Sequence, residues 1–322
     1  MATVCAVVLT RNRQELLVEC LRALLAQTRP PACVLVVDNA STDGTAERLE
    51  REGLLARPEV RYERREENTG GAGGYAAGVR IGAGLGHDWL WLMDDDAEPH
   101  PDALERLLAS PPAADPRTAV LATTVRTPTG ELELLHRGHL GRFMRTLDPA
   151  AYEPGAGYAP LGFASFVGYL VRGDVARALD PPRAEFFIGC DDVEYSVRAR
   201  RHGEIRLVPE SVIVHKLGMG GGSVTRRSRF WNRALGFGYT SASWEGYWKN
   251  LYAIRNFMWV KHRYGRVSPL AFAGLTATYV VKALMYDRRP LRRIPWIVRY
   301  ALNGRRGDFS GPTPAQWTAR HA

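Results

Sequence analysis

Three consecutive carboxylates, Asp94, Asp95 and Asp96, follow directly on the apolar run WLWLM at residues 89–93. Gathered at the C-terminal edge of a buried strand, such acids repel one another, and a hard divalent cation with oxygen ligands is the usual remedy. Mg²⁺ or Mn²⁺ held there would also bind a diphosphate; a solvated acidic turn is the alternative. A second acidic pair, Asp191 and Asp192, comes just after the apolar run FFIG at 186–189. Carboxylates in that position serve either as dipole partners in a helix's first turn or, with fixed position and retained charge, as a general base. His215 ends the apolar run VIV at 212–214 and precedes a glycine-rich stretch at 218–222. A lone histidine there is more often a core or surface residue than a ligand.

Two further places carry binding chemistry. The segment NTGGAGGY at 68–75 sets Gly70, Gly71, Gly73 and Gly74 behind Asn68 at an expected helix start. Glycines permit close backbone approach, and a helix N-terminus favours negative charge; a tight structural turn explains them equally. The segment is neither a P-loop nor a dinucleotide fingerprint, because no Gly-Lys-Ser/Thr follows and it lies after the third strand. Asp38 ends the second strand, and Thr10, Arg11 and Asn12 end the first. A carboxylate at such an edge accepts hydrogen bonds from a base or ribose, or caps a helix.

The elements that must position these residues follow from the apolar pattern. Continuous apolar runs at 4–9, 34–37 and 89–93, with a shorter one at 60–62, predict strands buried in a mostly parallel sheet. Between them, a leucine stripe over 16–25 predicts a helix, and STDG at 41–44 offers capping for another reaching about 52. Strands alternating with helices indicate an α/β fold, Rossmann-like, with helices flanking the sheet. After about 112 the alternation fades. Strands are expected at 120–125, 163–171, 205–208 and 212–214, with a helix starting near 191. From 244 to about 303 the pattern is helical, and the tail from 304 reads as loose. This divides the chain into an α/β domain at 1–220, with halves at about 1–112 and 113–220, a helical C-terminal region at 221–303, and a tail at 304–322.

The bulk composition fits a folded globular protein: 322 residues, 45% apolar and 24% charged. Of the net charge of +9, the stretch 282–306 carries eight Lys or Arg against the one acid Asp287. That local excess points to an anionic surface such as lipid headgroups. Nucleic acid is not expected, because basic and aromatic residues crowd into one region instead of spreading over a groove. The four cysteines form no C-x-x-C pair and read as small core residues of a reducing compartment. No secretory leader is recognisable. The longest uncharged run of the C-terminal part, 268–281, is fourteen residues, too short to predict a bilayer span.

Taken in order, VVLTRNR at 7–13, VVDNASTDGT at 36–45, ENTGGAGGY at 67–75, WLWLMDDDAEP at 89–99, FFIGCDDVEY at 186–195 and VPESVIVHK at 208–216 resemble family 2 glycosyltransferases of the GT-A fold. The resemblance covers about residues 3–217. It is nearest a subgroup that includes bacterial galactofuranosyl- and rhamnosyltransferases of cell-envelope glycan assembly. It implies that Thr10, Arg11, Asp38, Asn68, Gly70, Gly71, Gly73 and Asp95 surround the nucleotide. Asp94, Asp96 and His215 would meet Mn²⁺ or Mg²⁺, and Asp192, beside Asp191, would be the general base of an inverting transfer. The implied donor is a UDP- or dTDP-sugar, of the UDP-galactofuranose or dTDP-rhamnose type. The implied acceptor is a glycan or a polyprenyl-diphosphate-linked glycan, met at the cytoplasmic face of the membrane. WKNLYAIRN at 248–256 resembles an aromatic, Arg/Asn-bearing helix after the catalytic domain in such enzymes. The region beyond it is expected to contact an anionic membrane surface or a second copy of the chain. A transferase acting on a soluble small-molecule acceptor and a non-catalytic nucleotide-binding protein are the competing readings.

Overall fold

The structure is a computed structural model and describes residues 2–217, 230, 243–265, 267–287, 289–313 and 316–318. The chain divides into two compact units, Met1–Ala184 with Asp191–Gly218, and Glu185–Cys190 with Met219–Ala322. The glycine-rich stretch at 218–222 lies outside the described residues, as does Arg288.

In the first unit the elements run β1 (Val4–Thr10), α1 (Gln14–Leu25), β2 (Cys33–Asp38), α2 (Thr45–Arg51), β3 (Val60–Arg64), α3 (Gly70–Gly84), β4 (Trp89–Asp94), β5 (Ala97–Pro99), α4 (Ala103–Ala109) and α5 (Pro111–Ala114). They continue with β6 (Thr118–Arg126), β7 (Arg137–Leu140), β8 (Met144–Thr146), β9 (Pro160–Leu161), β10 (Phe163–Ala164), β11 (Tyr169–Arg172), α6 (Gly173–Ala178), α7 (Asp191–Ala199) and β12 (Glu204–His215). The main sheet has the order β3-β2-β1-β4-β11-β6-β12-β5, with β9 also on β12. Its β1, β2, β3 and β4 are mutually parallel, as are β6 and β12, while β11 runs antiparallel between β4 and β6. The runs at 4–9, 34–37 and 89–93 are buried from end to end, because both faces of the sheet carry apolar clusters.

Three expectations change. The predicted strand at 163–171 is two strands in two sheets, since β10 joins β7 and β8 in a small antiparallel sheet. The predicted strands at 205–208 and 212–214 are one, β12, kinked by a bulge between Val208 and Val212. Pro209 has no N–H to give the ladder there, so the strand interrupts its pairing and resumes to deliver His215. Finally, no side chain of residues 41–44 caps α2, whose N-cap is Gly44 in the left-handed conformation. The Ser41 hydroxyl instead accepts the Asn12 N–H, and Asp43 accepts the Gln14 N–H, tying the loop after β1 to the loop after β2.

The glycines of α3 work mainly in packing. A Cβ on Gly74 would lie 2.3 Å from Leu9 Cδ1, and one on Gly78 2.6 Å from Val7 Cγ1. Their absence lets α3 lie directly on β1.

The second unit contains α8 (Tyr247–Gly265), α9 (Pro269–Tyr286) and α10 (Pro290–Arg306). A Cβ on Gly304 would collide with the Arg255 carbonyl, so glycine there brings α10 against α8. The buried Arg255 donates to the carbonyls of Phe186 and Phe309, and its guanidinium lies between the rings of Tyr252 and Phe309. The Asn256 amide donates to the carbonyls of Phe186, Ile188 and Gly189. The Arg and Asn of 248–256 thus fix the segment that leads into α7, where Phe187, Gly189 and Cys190 all have left-handed φ. Residues past 304, expected to be loose, extend α10 to Arg306, and Trp317 is fully buried with its ring N–H donating to the Trp244 carbonyl. The tail's one tryptophan supplies the apolar area that composition alone did not reveal.

Candidate active site

The register of the parallel sheet brings Thr10, Asp38 and Asp94 to one edge, Thr10 pairing with Asp38 and Leu9 with Asp94. The Asp95 N–H donates to the Leu9 carbonyl, so the triplet turns away from β4 over the end of β1. Each acid then meets a different partner. Tyr75, carried in by the close packing of α3, donates its hydroxyl to Asp94 Oδ1 at 2.7 Å. Asp95 is buried and accepts from the Thr10 hydroxyl at 2.7 Å and from Arg13 at 3.1 Å. The same Arg13 nitrogen reaches Asp96 Oδ2 at 3.1 Å.

On the other side of Asp96 stands His215, the last residue of β12. Its Nε2 lies 3.4 Å from Asp96 Oδ1, and its Nδ1 lies 2.7 Å from Glu133 Oε2. Asp96 Oδ1 is buried and has no hydrogen-bond partner. Ligand atoms of Asp94, Asp96 and His215 all lie within 4.8 Å of one another. Two carboxylates and an imidazole, with one oxygen desolvated and unsatisfied, form a donor set suited to Mn²⁺ or Mg²⁺.

The electrostatics match this crowding. Loss of hydration, followed by repulsion from Asp96, pushes Asp94 up to about 7. Burial raises Asp95 to about 6 despite Arg13 and Thr10. Burial also acts to raise Asp96, but the closeness of His215, with Arg13, brings it below the usual carboxylate range. His215 shows the reverse balance: desolvation lowers it, and the nearby Asp96 carboxylate with the bond to Glu133 prevails and raises it to about 9.

Asp191 and Asp192 open α7 as expected. The Val193 N–H donates to Asp192 Oδ1 at 2.7 Å. Desolvation lifts Asp192 to about 6, against that bond and the pull of buried Arg137. Tyr75, the residue that holds Asp94, meets the ring of Phe166, and Phe166 meets Tyr195 of α7, so α7 joins the triplet's side of the sheet through two ring contacts.

The remaining candidates stand at the edge in different ways. Asp38 is buried, with Oδ1 accepting the Ser41 N–H at 2.7 Å and Oδ2 accepting the Tyr62 hydroxyl. Asn68 Oδ1 accepts from the Asn39 amide and the Gly70 N–H, which orders the turn into α3. A Cβ on Gly71 would meet nothing, so that backbone is open to an approaching ligand, whereas one on Gly73 would meet the Thr69 side chain. Arg11 is exposed, and Thr10 is committed to Asp95. Sequence reasoning missed Arg13, Tyr75, Glu133 and His136. Only Arg13 carried a signal, as a cation two residues beyond the end of β1 and thus at the same edge as the triplet.

A mostly parallel sheet that gathers acids and a histidine at its carboxyl edge has the GT-A architecture of glycosyltransferases. Residues 5–167 match the family described as Glycosyl transferase family 2, and the chain belongs to that family. It is 32% identical over 203 residues to the galactofuranosyltransferase GlfT1 of Mycolicibacterium smegmatis, covering 62% of this chain and 66% of that protein. Against GlfT1 of Mycobacterium tuberculosis the figure is 35% over 208 residues, with the same coverage. The chain thus spans just under two thirds of the length of these relatives. Among solved structures, GalNAc-T7 with UDP, GalNAc and Mn²⁺ superposes with a TM-score of 0.58 at 14% identity, over 81% of this chain and 48% of that one. A mannosyltransferase from Pyrobaculum calidifontis in complex with GDP-Man and Mn²⁺ gives 0.52 at 19%, over 94% and 86%. These two share the fold.

Arg13 supplies positive charge to the same acids that a cation would neutralise. Arg13→Met should therefore lower the melting temperature in chelator by about 2–4 °C, the shift for ~1 kcal/mol in a domain of this size. Saturating Mn²⁺ should then raise it by more than it raises the wild type. Equal Mn²⁺ increments in both proteins would show that Arg13 and a cation do not share these carboxylates.

Proposed function

We propose that this chain is an inverting, metal-assisted glycosyltransferase. It moves a sugar from a nucleoside-diphosphate donor, of the UDP-galactofuranose type, to a hydroxyl of a glycan or polyprenyl-diphosphate-linked glycan in cell-envelope synthesis. The observation that carries this reading is the convergence of Asp94, Asp96 and His215 around an unsatisfied buried oxygen, with Asp192 held at the start of α7. The GlfT1 relatives favour galactofuranose over a dTDP-rhamnose donor.

Mn²⁺ or Mg²⁺ held by Asp94, Asp96 and His215 would neutralise charge gathering on the departing diphosphate. Thr10 and Arg13 keep Asp95 ordered, and Tyr75 keeps one oxygen of Asp94 engaged while its other oxygen stays available. The open backbone at Gly71, at the positive end of α3, is suited to the donor's phosphates. Asp192 accepts its backbone bond through Oδ1, which leaves Oδ2 to take the proton from an acceptor hydroxyl as that oxygen attacks the anomeric carbon. One displacement inverts that carbon. A base raised to about 6 is ionised at neutral pH and closer to the hydroxyl in proton affinity than an ordinary aspartate.

The second unit suits an acceptor presented at a membrane. Leu270, Ala273, Ala277, Val281 and Leu284 recur at intervals of three or four along α9 and are all exposed, Leu270 to 84%. Leu291 of α10 is 77% exposed and stands between exposed Arg289 and Arg292. By length and composition α9 is apolar enough to cross a bilayer, which the fourteen-residue uncharged run understated, because Lys282 interrupts it near the end. Two residues expected at lipid are turned inward instead. Arg293 pairs with Asp287 at 2.7 Å and lies over Tyr247, and Trp296 packs against Trp317. The remaining stripe and cations fit an anionic membrane surface on the inner face of the cell membrane.

Asp192 gives the direct test of the catalytic reading. Asp192→Asn should cut transfer by roughly 10²-fold or more and leave donor binding intact. Wild-type kcat/KM should fall as pH drops through about 6, where the base gains its proton. Stability runs the other way. A carboxyl raised on folding favours the fold below its unfolded pKa of about 4, and that contribution is lost as pH rises through about 6. Asp192→Asn should therefore melt higher than wild type at pH 8, with the gap closing toward pH 5. Unchanged turnover with lost donor affinity would make Asp192 a binding residue.

For the membrane, the full chain should sediment with anionic vesicles at low salt and less so at high salt, and Leu270→Glu/Leu291→Glu should abolish it. Negligible sedimentation of the wild type at low salt would refute the surface role. A solution dimer lost in the double variant would assign the stripe to a second copy of the chain.

A further inference from the structure

We infer that Glu133 is a positioning residue that sets His215 to receive the divalent cation, with His136 and Ser165 holding Glu133 in place. This rests on the metal-assisted reading above and assigns a role to a segment, residues 127–165, that the reaction otherwise leaves unused.

The side chains form a continuous chain in which both histidines are buried and Glu133 and Ser165 are half-buried. Glu133 Oε2 lies 2.7 Å from His215 Nδ1 and 3.2 Å from His136 Nε2. His136 Nδ1 lies 2.7 Å from the Ser165 hydroxyl. The two imidazoles meet edge to face at 5.0 Å and 89°. The backbone fixes this arrangement from both ends. The Glu133 N–H donates to the Val125 carbonyl at the end of β6, and the Ser165 N–H donates to the His136 carbonyl. Buried Arg137 then donates to the carbonyls of His136, Thr123 and Val167 and to the Ser165 hydroxyl, locking the turn that carries His136 to β6 and to the start of β11.

The chemistry follows from which nitrogen is occupied. A carboxylate accepts only, so His215 must present Nδ1–H to Glu133. In the neutral ring that leaves a lone pair on Nε2, which faces the unsatisfied Asp96 Oδ1 at 3.4 Å. Two buried lone pairs aimed at each other are repulsive unless a proton or a cation lies between them. Glu133 therefore selects the tautomer that ligates metal, fixes the ring's rotation, and makes Nε2 a stronger donor. Without it, the imidazole could turn or place its proton on Nε2 and satisfy Asp96 directly.

The experiment measures Mn²⁺ affinity by titration calorimetry and by electron paramagnetic resonance. The proteins are wild type, Glu133→Ala, Glu133→Gln, His215→Ala and the Glu133→Ala/His215→Ala double variant. Glu133→Ala should weaken Mn²⁺ binding about 10–100-fold. Glu133→Gln, whose amide oxygen still accepts from Nδ1, should recover most of that affinity. In the His215→Ala background, Glu133→Ala should cost nothing more, because Glu133 acts through His215. Wild-type affinity in Glu133→Ala, or an equal loss with and without His215, would overturn the inference while leaving the metal site intact. No Mn²⁺ binding by the wild type would overturn the metal site itself, and this inference with it. A variant that fails to fold does not remove the test. In Mg²⁺-loaded wild type, nitrogen NMR of the imidazoles should show His215 protonated on Nδ1 and not on Nε2, and the opposite tautomer would overturn the assignment.

Discussion

Three carboxylates at the end of one buried strand cost stability on two counts: each loses hydration, and each repels the others. The surrounding structure answers this acid by acid. Tyr75 takes Asp94, Thr10 and Arg13 take Asp95, and Arg13 and His215 stand on either side of Asp96. The compensation is incomplete at Asp96 Oδ1, which stays buried without a hydrogen bond. A cation bound there would satisfy that oxygen, and a native fold seldom leaves such an atom unsatisfied without a reason.

Much of the architecture serves that cluster. Tyr75 reaches Asp94 only because α3 lies close on β1, which the missing side chains at Gly74 and Gly78 permit. His215 reaches Asp96 because β12 resumes its pairing after the bulge at Pro209 and continues three residues past Val212. Arg13 sits in a loop pinned by Asn12, Ser41 and Asp43 to the turn after β2. The glycine-rich segment therefore acts first as a packing device, with ligand approach left to Gly71.

The legible part of the sequence was its buried strands and the acids that end them. Continuous apolar runs locate β1, β2 and β4, and an acid directly follows two of them, so Asp38 and Asp94–Asp96 could be placed at one edge of the sheet without coordinates. Asp191 and Asp192 were legible as a helix start for the same reason. Glu133, His136 and Arg137 were not. They lie in short strands and turns without apolar period, and they are held by contacts with residues far along the chain, Glu133 with His215, His136 with Ser165 and Arg137 with Val167. The C-terminal arginines look alike in sequence, yet Arg293 is buried against Asp287 while Arg292 is exposed. That difference depends on which face α10 turns to α8, and the dense Trp, Tyr and Arg content of both helices hides the face.

The most direct measurement is turnover of UDP-galactofuranose by the wild type and by Asp96→Ala, with Mn²⁺ and with chelator. If the acids at the end of β4 serve the departing diphosphate through a cation, wild-type activity should vanish in chelator and return with Mn²⁺ or Mg²⁺. Asp96→Ala should lose several kcal/mol of transition-state stabilisation, roughly 10²-fold or more in kcat/KM. Full turnover by Asp96→Ala in chelator would contradict the account.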